Sequence, residues 1–260
     1  MSRLDPLPKI MLAPNGARRT KSDHPALPMT HDEILADAIS GHAAGAEALH
    51  AHVRDDAGGH SLDPGRYREL VDDIARLVPE MPVQITTESA GKFAPQEQMS
   101  VVRAVEPEGI SMAPREMWCD PELERDISRF YAWCAEADIA IQHILFDTAD
   151  IELLGHLTHR EVIPTPKQCI FVLGSYEPPQ PGRPEHLAGL LAACETHIAP
   201  LDWAVCAFGR HELPCLVEAA RLGGALRTGF ENNSIAPDGA AFANNAEGVR
   251  TLVQATRTLI

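Results

Sequence analysis

The 260-residue chain lacks any apolar run that approaches the roughly 20 residues needed to cross a bilayer as a helix. Its opening residues, MSRLDPLPKI, also lack the apolar segment that a secretory signal requires. We therefore expect a cytoplasmic protein that does not insert into a membrane.

Basic residues are scarce, since 22 Lys and Arg stand against 37 Asp and Glu and give a net charge of −15. The only basic cluster is short and consists of Arg18, Arg19 and Lys21. Because so acidic a chain repels the phosphates of nucleic acids and of anionic membranes, we expect neither as a partner.

The cysteines do not form C-x-x-C pairs, and most of them lie inside apolar runs. This pattern predicts reduced, buried thiols and argues against both a disulfide framework and a cysteine-bound zinc ion. The six cysteines are Cys119, Cys134, Cys169, Cys194, Cys206 and Cys215.

The chain does contain a regular alternation of short apolar runs with longer stretches of helical period, which is typical of βα units around a parallel sheet. The eight runs cover residues 9–14, 48–54, 83–88, 109–112, 139–146, 168–173, 202–208 and 224–231. Eight such units in about 250 residues predict a (β/α)8 TIM barrel of the α/β class. We expect one domain over residues 1–260.

Helix signals occupy the intervals between these runs. Thr30 and Glu33 form a capping box ahead of one predicted helix, and Asp120 followed by Pro121 marks the start of another. The last helix is predicted to run from about Gly239 to the C-terminus.

Two histidines in the second run, His50 and His52, are one residue apart, so a strand directs both to the same side. Leu49, Ala51 and Val53 make the other side apolar, which points the histidines into the barrel near its C-terminal mouth. A single buried histidine is most often a hydrogen-bonded core residue. Two inward imidazoles instead supply two of the three protein ligands of an open catalytic zinc site.

The eighth run offers a third ligand, Glu231, because closure of a barrel places that strand beside the first, which lies beside the second. The alternative is that Glu231 caps a helix or lies on the surface. Arg227 shares its face, and an unpaired buried guanidinium costs several kcal/mol. Arg227 therefore needs an anion, which could be Glu231, Glu88 or a bound substrate.

Further polar side chains stand at predicted strand ends, where loop hydroxyls and amides are common even without a ligand. They are Asn15, Gln84, Thr86, Glu88, Ser111 and Asp147.

Four segments read HAHVR (50–54), QITT (84–87), VLG (172–174) and GFENN (229–233), and with them the sequence resembles the β-keto acid cleavage enzyme family. The resemblance extends from residue 12 to the final helix. It implies a zinc-dependent (β/α)8 barrel, usually a homotetramer. It also implies an enzyme that converts a β-keto acid and acetyl-CoA into acetoacetate and a new acyl-CoA.

The resemblance further implies roles for individual residues. The residues that match the family's metal ligands are His50, His52 and Glu231. Arg227 matches the catalytic arginine, while Thr86 and Ser111 match hydroxyls that hold the keto-acid end of the substrate. A zinc ion would act as a Lewis acid on the keto group, with Arg227 adding positive charge near the developing enolate.

Two positions depart from the family's best-known member, an aminohexanoate cleavage enzyme. Arg18 replaces a glutamate that receives the substrate's amino group, which favours a distal carboxylate or another polar tail. Asn232 replaces an aspartate that works with the arginine in proton abstraction. Because an amide is no base, either another group takes the proton, with Glu88, Asp147 or a zinc-bound hydroxide as candidates, or the route differs from that of the aminohexanoate enzyme.

The segment at Gln142 and His143 also differs from that member, which is richer in glutamate there. We expect Gln142 and Asn15 to contact the substrate. The phosphates of CoA need cations, and the candidates at the predicted mouth are Arg115, Arg183 and Arg210. Each is a loop residue, and a loop arginine is more often a solvated surface residue than a ligand.

Two other functions stay open. A metal hydrolase of the amidohydrolase type also carries an H-x-H strand, but on strand one, with further histidines on strands five and six and a strand-eight aspartate. His143 on the fifth predicted strand keeps that alternative open. The other alternative is a non-catalytic acyl-CoA or keto-acid binding protein that lost its base at Asn232.

Overall fold

The computed structural model describes residues 2–176, 178–198 and 200–260. The strands within them are β1 (Ile10–Leu12), β2 (Ala48–Ala51), β3 (Val53–Arg54), β4 (His60–Ser61), β5 (Val83–Thr86), β6 (Gly109–Met112), β7 (Ala140–Leu145), β8 (Gln168–Leu173), β9 (Asp202–Ala207) and β10 (Ala225–Thr228). Eight of them close into a parallel barrel in the order β1-β10-β9-β8-β7-β6-β5-β2. The predicted (β/α)8 barrel is confirmed, while the single domain over residues 1–260 remains a prediction.

Helices connect the strands and cover the outside of the barrel. They are α1 (His31–Ala43), α2 (Pro64–Leu77), α3 (Pro95–Val105), α4 (Pro114–Met117), α5 (Glu124–Glu136), α6 (Thr148–His159), α7 (Glu185–His197), α8 (Glu212–Arg221) and α9 (Asn245–Thr256). No helix in the described residues is long and apolar enough to cross a membrane.

Local signals set several helix boundaries as predicted. The hydroxyl of Thr30 accepts from the Glu33 amide, and the Glu33 carboxylate accepts from the Thr30 amide, so α1 begins with the expected capping box. Asp120 accepts from the Glu122 amide, although the first turn after it is a 3₁₀ helix, Pro121–Leu123, ahead of α5. The predicted start of the last helix at Gly239 is wrong, because Asn244 caps α9 by accepting from the Glu247 amide.

The second predicted run, 48–54, is not one strand. β2 ends at Ala51, and β3 leaves the barrel to pair antiparallel with β4, where Arg54 lies opposite His60. The Arg54 guanidinium is buried and donates to the carbonyl oxygens of Gly16, Arg19 and Gly58, so it holds two loops together.

Strand pairing at the closure of the barrel determines which residues can meet. β1 pairs with β10 on one side and with β2 on the other, so Leu12 lies beside both Thr228 and Leu49. The predicted neighbours of the first strand are confirmed. The segment after β10 can therefore reach the end of β2 across a single strand.

The apolar core lies mainly between the barrel and its helices, whereas buried polar side chains concentrate inside the barrel. Residues such as Leu49, Ile85 and Phe171 face the helices and are fully buried. The six cysteines are free; five are buried as predicted, but Cys119 is exposed. The polar interior is what distinguishes the region described next.

Candidate active site

His50 is oriented by a glutamine on the neighbouring strand. Its Nδ1 lies 2.8 Å from Oε1 of Gln84, and an amide oxygen can only accept, so Nδ1 carries the hydrogen. The Gln84 amide nitrogen in turn donates to Oε1 of Gln142 at 3.2 Å. This chain of bonds leaves the lone pair of His50 Nε2 free to bind a ligand.

Three potential ligand atoms converge beside that lone pair. Nε2 of His50 lies 3.0 Å from Nε2 of His52, and Oε2 of Glu231 lies 3.6 and 3.5 Å from these two nitrogens. One ligand atom from each residue lies within 4.8 Å of the others, and all three residues are buried. Two imidazoles and a carboxylate form a donor set that could hold a divalent metal ion.

Glycines allow Glu231 to come so close. Gly16 has a φ of +64°, and a Cβ at this position would lie 2.5 Å from Cγ of Glu231. Gly229 has a φ of +141°, and a Cβ there would lie 2.2 Å from the carbonyl oxygen of Ala13. Both the backbone conformation and the space at these two positions therefore require glycine.

Arg227 reaches the same place from β10. Its Nη2 lies 3.1 Å from Oε1 of Glu231 and 3.3 Å from Sγ of Cys206. Its Nε and Nη1 are buried without a hydrogen-bond partner among the described residues. Glu231 supplies the anion that the sequence demanded, and the remaining guanidinium donors are available to a second anion.

The buried environment favours neutral histidines. Burial, followed by the charge of Arg227, lowers the pKa of His50 well below its usual value. Burial also lowers the pKa of His52, and the neighbouring imidazoles of His50 and His60 act in the same direction. Burial raises the pKa of Glu231, although Arg227 opposes the shift. Neutral imidazoles are the form that binds a metal ion.

A cavity of about 840 Å³ opens above this group, and its lining includes His50, His52, Arg227 and Glu231. A second space of about 730 Å³, which we call the outer cavity, adjoins it and is lined by Arg18, Arg19, Asp23, Ser175, Tyr176, Pro179, Gln180, Pro181, Phe208 and Gly209. The two spaces share six lining residues, among them Arg18 and Tyr176. A substrate in the inner cavity can thus extend outward past Arg18.

Glu88 faces the inner cavity, and its carboxyl group has a raised pKa. Burial, together with the negative charges of Glu231 and Glu116, raises the pKa of Glu88 to about 7. Arg18 Nε lies 3.9 Å from Oε1 of Glu88, too far for a strong pair, and the Arg18 side chain is 47% exposed. A carboxyl group with a pKa near neutrality can exchange protons with a substrate.

The other predicted site residues do not all reach the cavity. Thr86 lines it, with a hydroxyl that accepts from the Glu88 amide. Ser111 is buried beside Thr86 in register, and its hydroxyl has no hydrogen-bond partner among the described residues, but it does not line the cavity. Asn15 donates to the His52 carbonyl oxygen at 3.0 Å and supports the site from behind.

Two of the predicted site residues, Gln142 and Asn232, do not line the cavity. Gln142 lies behind Gln84 and does not line the cavity, which argues against direct contact with a substrate. Its strand face points inward, but its side chain bonds to Gln84, which lies two residues before the cavity-lining Thr86 on β5. Asn232 is fully buried with both amide atoms unpartnered among the described residues, and it also does not line the cavity.

The arginines predicted for CoA phosphates are less suitable than expected. Arg115 lines the inner cavity, but its guanidinium lies 2.6 Å from carboxylate oxygens of both Asp147 and Asp150. Arg183 and Arg210 are exposed and line neither the inner nor the outer cavity. Partial burial opposes a lower pKa for Asp147, but the Arg115 hydrogen bond and charge lower it overall, which makes Asp147 a poor base.

Sequence reasoning missed the residues that hold the Glu231 segment from outside. Arg19 donates to the carbonyl oxygens of Phe230 at 2.9 Å and Asn232 at 3.4 Å. The Tyr176 hydroxyl donates to the carbonyl oxygen of Glu231. These bonds join loops more than 50 residues apart, and a lone arginine or tyrosine carries no sequence signal for such a partner.

His60 was also missed. Its Nε2 donates to the Glu88 carbonyl oxygen at 2.8 Å, and its ring centroid lies 5.3 Å from that of His52. His60 lies in the hairpin of β3 and β4. It was missed because the sequence predicted a single strand over residues 48–54 and no hairpin.

His143 does not join the metal-ligand group. Its Nδ1 lies 3.1 Å from the Gln168 carbonyl oxygen, and its Nε2 lies 3.1 Å from the Tyr131 hydroxyl. Both ring nitrogens are thus engaged within the protein. The feature that kept the amidohydrolase alternative open is therefore removed.

Comparison with known sequences gives a consistent result. A sequence model of the family described as beta-keto acid cleavage enzyme matches residues 9–259. The 3-keto-5-aminohexanoate cleavage enzyme of Acetoanaerobium sticklandii is 28% identical over 246 residues, which cover 92% of this chain and 88% of that protein. The 3-oxoadipate:acetyl-CoA acetyltransferase of Cupriavidus necator is 24% identical over 252 residues, covering 90% and 85%.

Among solved structures, a ternary complex of ObcA with a C4-CoA adduct and oxalate superposes with a TM-score of 0.72 at 14% identity. The match covers 90% of this chain but 64% of that one. At this level of identity the likeness supports the barrel fold alone.

Proposed function

Because the chain belongs to the beta-keto acid cleavage enzyme family, we propose that it is a zinc-dependent enzyme that joins a β-keto acid to acetyl-CoA and releases acetoacetate and a new acyl-CoA. At the coarser level, it is an enzyme that acts on β-keto acids with acetyl-CoA. The family membership disfavours a purely binding role. The convergence of His50, His52 and Glu231 at the inner cavity carries the proposal.

The three residues fit a zinc ion by their chemistry. His50 presents a bare Nε2 because Gln84 fixes its hydrogen on Nδ1. Oε2 of Glu231 is buried without a hydrogen bond among the described residues, as expected of an atom with another partner. A zinc ion held there would polarise the keto carbonyl of a bound substrate as a Lewis acid.

Arg227 binds the acidic end of the substrate in this proposal. Its unpartnered Nε and Nη1 can donate to the substrate carboxylate, while Nη2 remains with Glu231. A guanidinium keeps its charge at any physiological pH, so it also stabilises negative charge that develops beside it during enolisation. The Thr86 hydroxyl, whose oxygen already accepts from the Glu88 amide, has its proton free to donate to a substrate oxygen.

Glu88 accepts the substrate proton in this proposal. Its pKa of about 7 leaves a large ionised fraction at neutral pH while keeping the group basic enough to remove a proton. Asn232 cannot do so, and the ion-paired Asp147 is a weaker base. The product proton can return to the leaving fragment from the same carboxyl group.

Arg18 selects the substrate tail in this proposal. It stands between the two cavities with much of its guanidinium exposed, and no carboxylate of the described residues approaches it more closely than Glu88 at 3.9 Å. A distal carboxylate, as on the 3-oxoadipate that names one relative, would supply the missing anion. An amino tail would be repelled.

The outer cavity suits the nucleotide part of acetyl-CoA. Arg19 lies over the ring of Tyr176 at 5.7 Å, and Tyr176 meets Phe208 edge to face at 4.4 Å. An aromatic corner with a guanidinium above it can take a base and a phosphate together. We assign the phosphates to Arg19 in place of Arg115, Arg183 and Arg210.

The direct test is turnover with purified, zinc-loaded protein, acetyl-CoA and a panel of β-keto acids that includes 3-oxoadipate. We expect acetoacetate to form with 3-oxoadipate faster than with an amino-substituted keto acid, and Arg18→Glu to reverse that order. Arg183→Glu is the matched control, because Arg183 lies outside both cavities. Cleavage that needs no acetyl-CoA, or turnover unaffected by removal of zinc, would refute the proposal.

The homotetramer that the family resemblance implies and the cytoplasmic location expected from the sequence are also proposals. Light scattering of the purified protein should give a mass near four times 28.3 kDa. A monomer of the same activity would contradict the tetramer without touching the chemistry.

A further inference from the structure

A buried carboxylate outside the cavity holds the segment that carries Glu231. Glu212, the first residue of α8, is 4% exposed. Its Oε1 accepts from the Thr228 hydroxyl at 2.9 Å, and its Oε2 accepts from the Asn233 side-chain amide at 3.1 Å. Thr228 stands three residues before Glu231 and Asn233 stands two residues after it, so the two bonds bracket the segment.

Asn233 transmits this anchoring to the backbone that follows. Its amide also donates to the Ile235 carbonyl oxygen at 2.8 Å, and its side-chain oxygen accepts from the Ile235 amide at 3.0 Å. On the other side, Thr228 ends β10 and is fixed in register against Leu12. Glu212 therefore ties a rigid strand end to a turn, and Glu231 lies between them.

The ion pairs of the described residues do not include Glu212 and therefore do not explain its burial, whereas Glu218 on the same helix pairs with Arg221 at 2.9 Å. Burial raises the pKa of Glu212 to about 7, and hydrogen bonds from Asn233 and Thr228 oppose that rise. A buried carboxyl group is costly, and an apolar side chain of similar size would pack at lower cost. A carboxyl group at this position therefore indicates that its hydrogen bonds to Thr228 and Asn233 are needed.

The hydrogen bonds of Glu212 are needed to fix the position of Glu231. A metal ligand must lie within about 0.2 Å of its bonding distance, so small movements of the segment weaken binding. We propose that Glu212 is a positioning residue that holds the Glu231 carboxylate in place for a metal ion. It does so through Thr228 and Asn233 without contacting that ion. The inference rests on the proposed function, because it assumes that Glu231 is a ligand.

Zinc affinity measured by competition with a chromophoric chelator tests the proposal independently of turnover. Glu212→Leu keeps the bulk and removes both bonds, and we expect it to lower zinc affinity by about tenfold or more, the range for lost support of a metal ligand. Glu212→Gln should stay close to wild type, because its oxygen can accept from Asn233 while its amide donates to the Thr228 hydroxyl. Glu218→Gln is the matched control and should leave zinc affinity unchanged.

The outcomes separate the possible failures. If the wild-type protein binds no stoichiometric zinc, both this inference and the proposed function fail. If wild type binds zinc and Glu212→Leu binds it equally well while unfolding more easily, Glu212 is only structural and this inference alone fails. If Glu212→Leu does not fold, Thr228→Val is the second variant, because it removes one of the two bonds with little change in shape. We expect about a threefold loss of zinc affinity, which is less than the range for a residue in contact with the ligand. No loss of zinc affinity would overturn the inference.

Discussion

His50 and His143 are both buried imidazoles on barrel strands, yet they serve different ends. In each, Nδ1 donates to an oxygen, Oε1 of Gln84 for His50 and the Gln168 carbonyl for His143. They differ at Nε2, which accepts from the Tyr131 hydroxyl in His143 but faces Nε2 of His52 at 3.0 Å and Oε2 of Glu231 at 3.6 Å in His50. A neutral, oriented histidine is therefore common to core and site, and the groups around its second nitrogen distinguish the two.

Removing each imidazole should give the largest contrast. We expect His50→Ala to weaken zinc binding by more than about a hundredfold, since losing mere support for a ligand already costs 10–100-fold. His143→Ala should leave zinc affinity intact and lower the free energy of unfolding by about 2–4 kcal/mol, as for other large-to-small core changes. Chelator competition and urea unfolding measure the two quantities. Loss of zinc from the His143 variant would erase the distinction.

Removing the residue that bonds to Nδ1 of His50 or to Nε2 of His143 should give a smaller difference in zinc affinity. Gln84→Leu removes the acceptor that fixes the His50 tautomer, and we expect zinc affinity to fall about 10–100-fold. Tyr131→Phe removes only the hydroxyl on His143 and should cost about 1 kcal/mol of stability with no change in zinc affinity. Equal zinc affinities in the two variants would contradict the role of Gln84.

Moving the third ligand tests the convergence itself. Gly16→Ala adds a Cβ against Glu231, so we expect zinc affinity to fall by about tenfold, the low end of the range for altered ligand support. Gly91→Ala is the control, because its φ of +71° imposes similar strain while no atom lies within 4 Å of the added Cβ. Both variants should lose about 1–2 kcal/mol of stability from backbone strain. Only the Gly16 variant should lose zinc.

The smallest effect concerns pH. Burial lowers the pKa of His143 from 6.5 to about 4, so the unfolded chain binds a proton in this range that the folded protein does not. Stability from this group is present above pH 6.5 and is lost as the pH falls toward 4. Between pH 7 and 5.5, wild type should lose about 1 kcal/mol more than His143→Gln in urea unfolding. Identical losses would show that burial does not lower the pKa of His143 in the folded protein.

Much of the barrel could be read from the sequence because its strands are buried on both sides. The runs at 109–112 and 168–173 match β6 and β8 at both ends. The run at 48–54 failed because residues 53 and 54 stay buried after the strand has ended, so hydrophobicity alone does not reveal the hairpin of β3 and β4. The shape of the turn after Ala51 depends on pairing with residues near His60.

The site was predictable where the spacing of residues along one strand determines the direction of a side chain. It was less predictable where the position of a residue depends on its depth in the barrel. The alternation at His50 and His52 gives their common direction, and the structure brings Glu231 to them. Gln142 shares an inward face, but the stagger between strands sets its height in the barrel, and no single-strand pattern contains that stagger. Glu212 and Arg19 act through partners far along the chain, which a single sequence does not pair.

The register of β1 between β10 and β2 has a consequence for the order in which this protein matures. His50 and His52 are synthesised long before Glu231, and the three meet only when the first and last barrel strands have joined across that seam. Before the barrel closes, a nascent chain can present only the two imidazoles of this three-residue group together. A zinc ion that binds all three ligands only after closure would then stabilise the closed barrel relative to open intermediates by mass action.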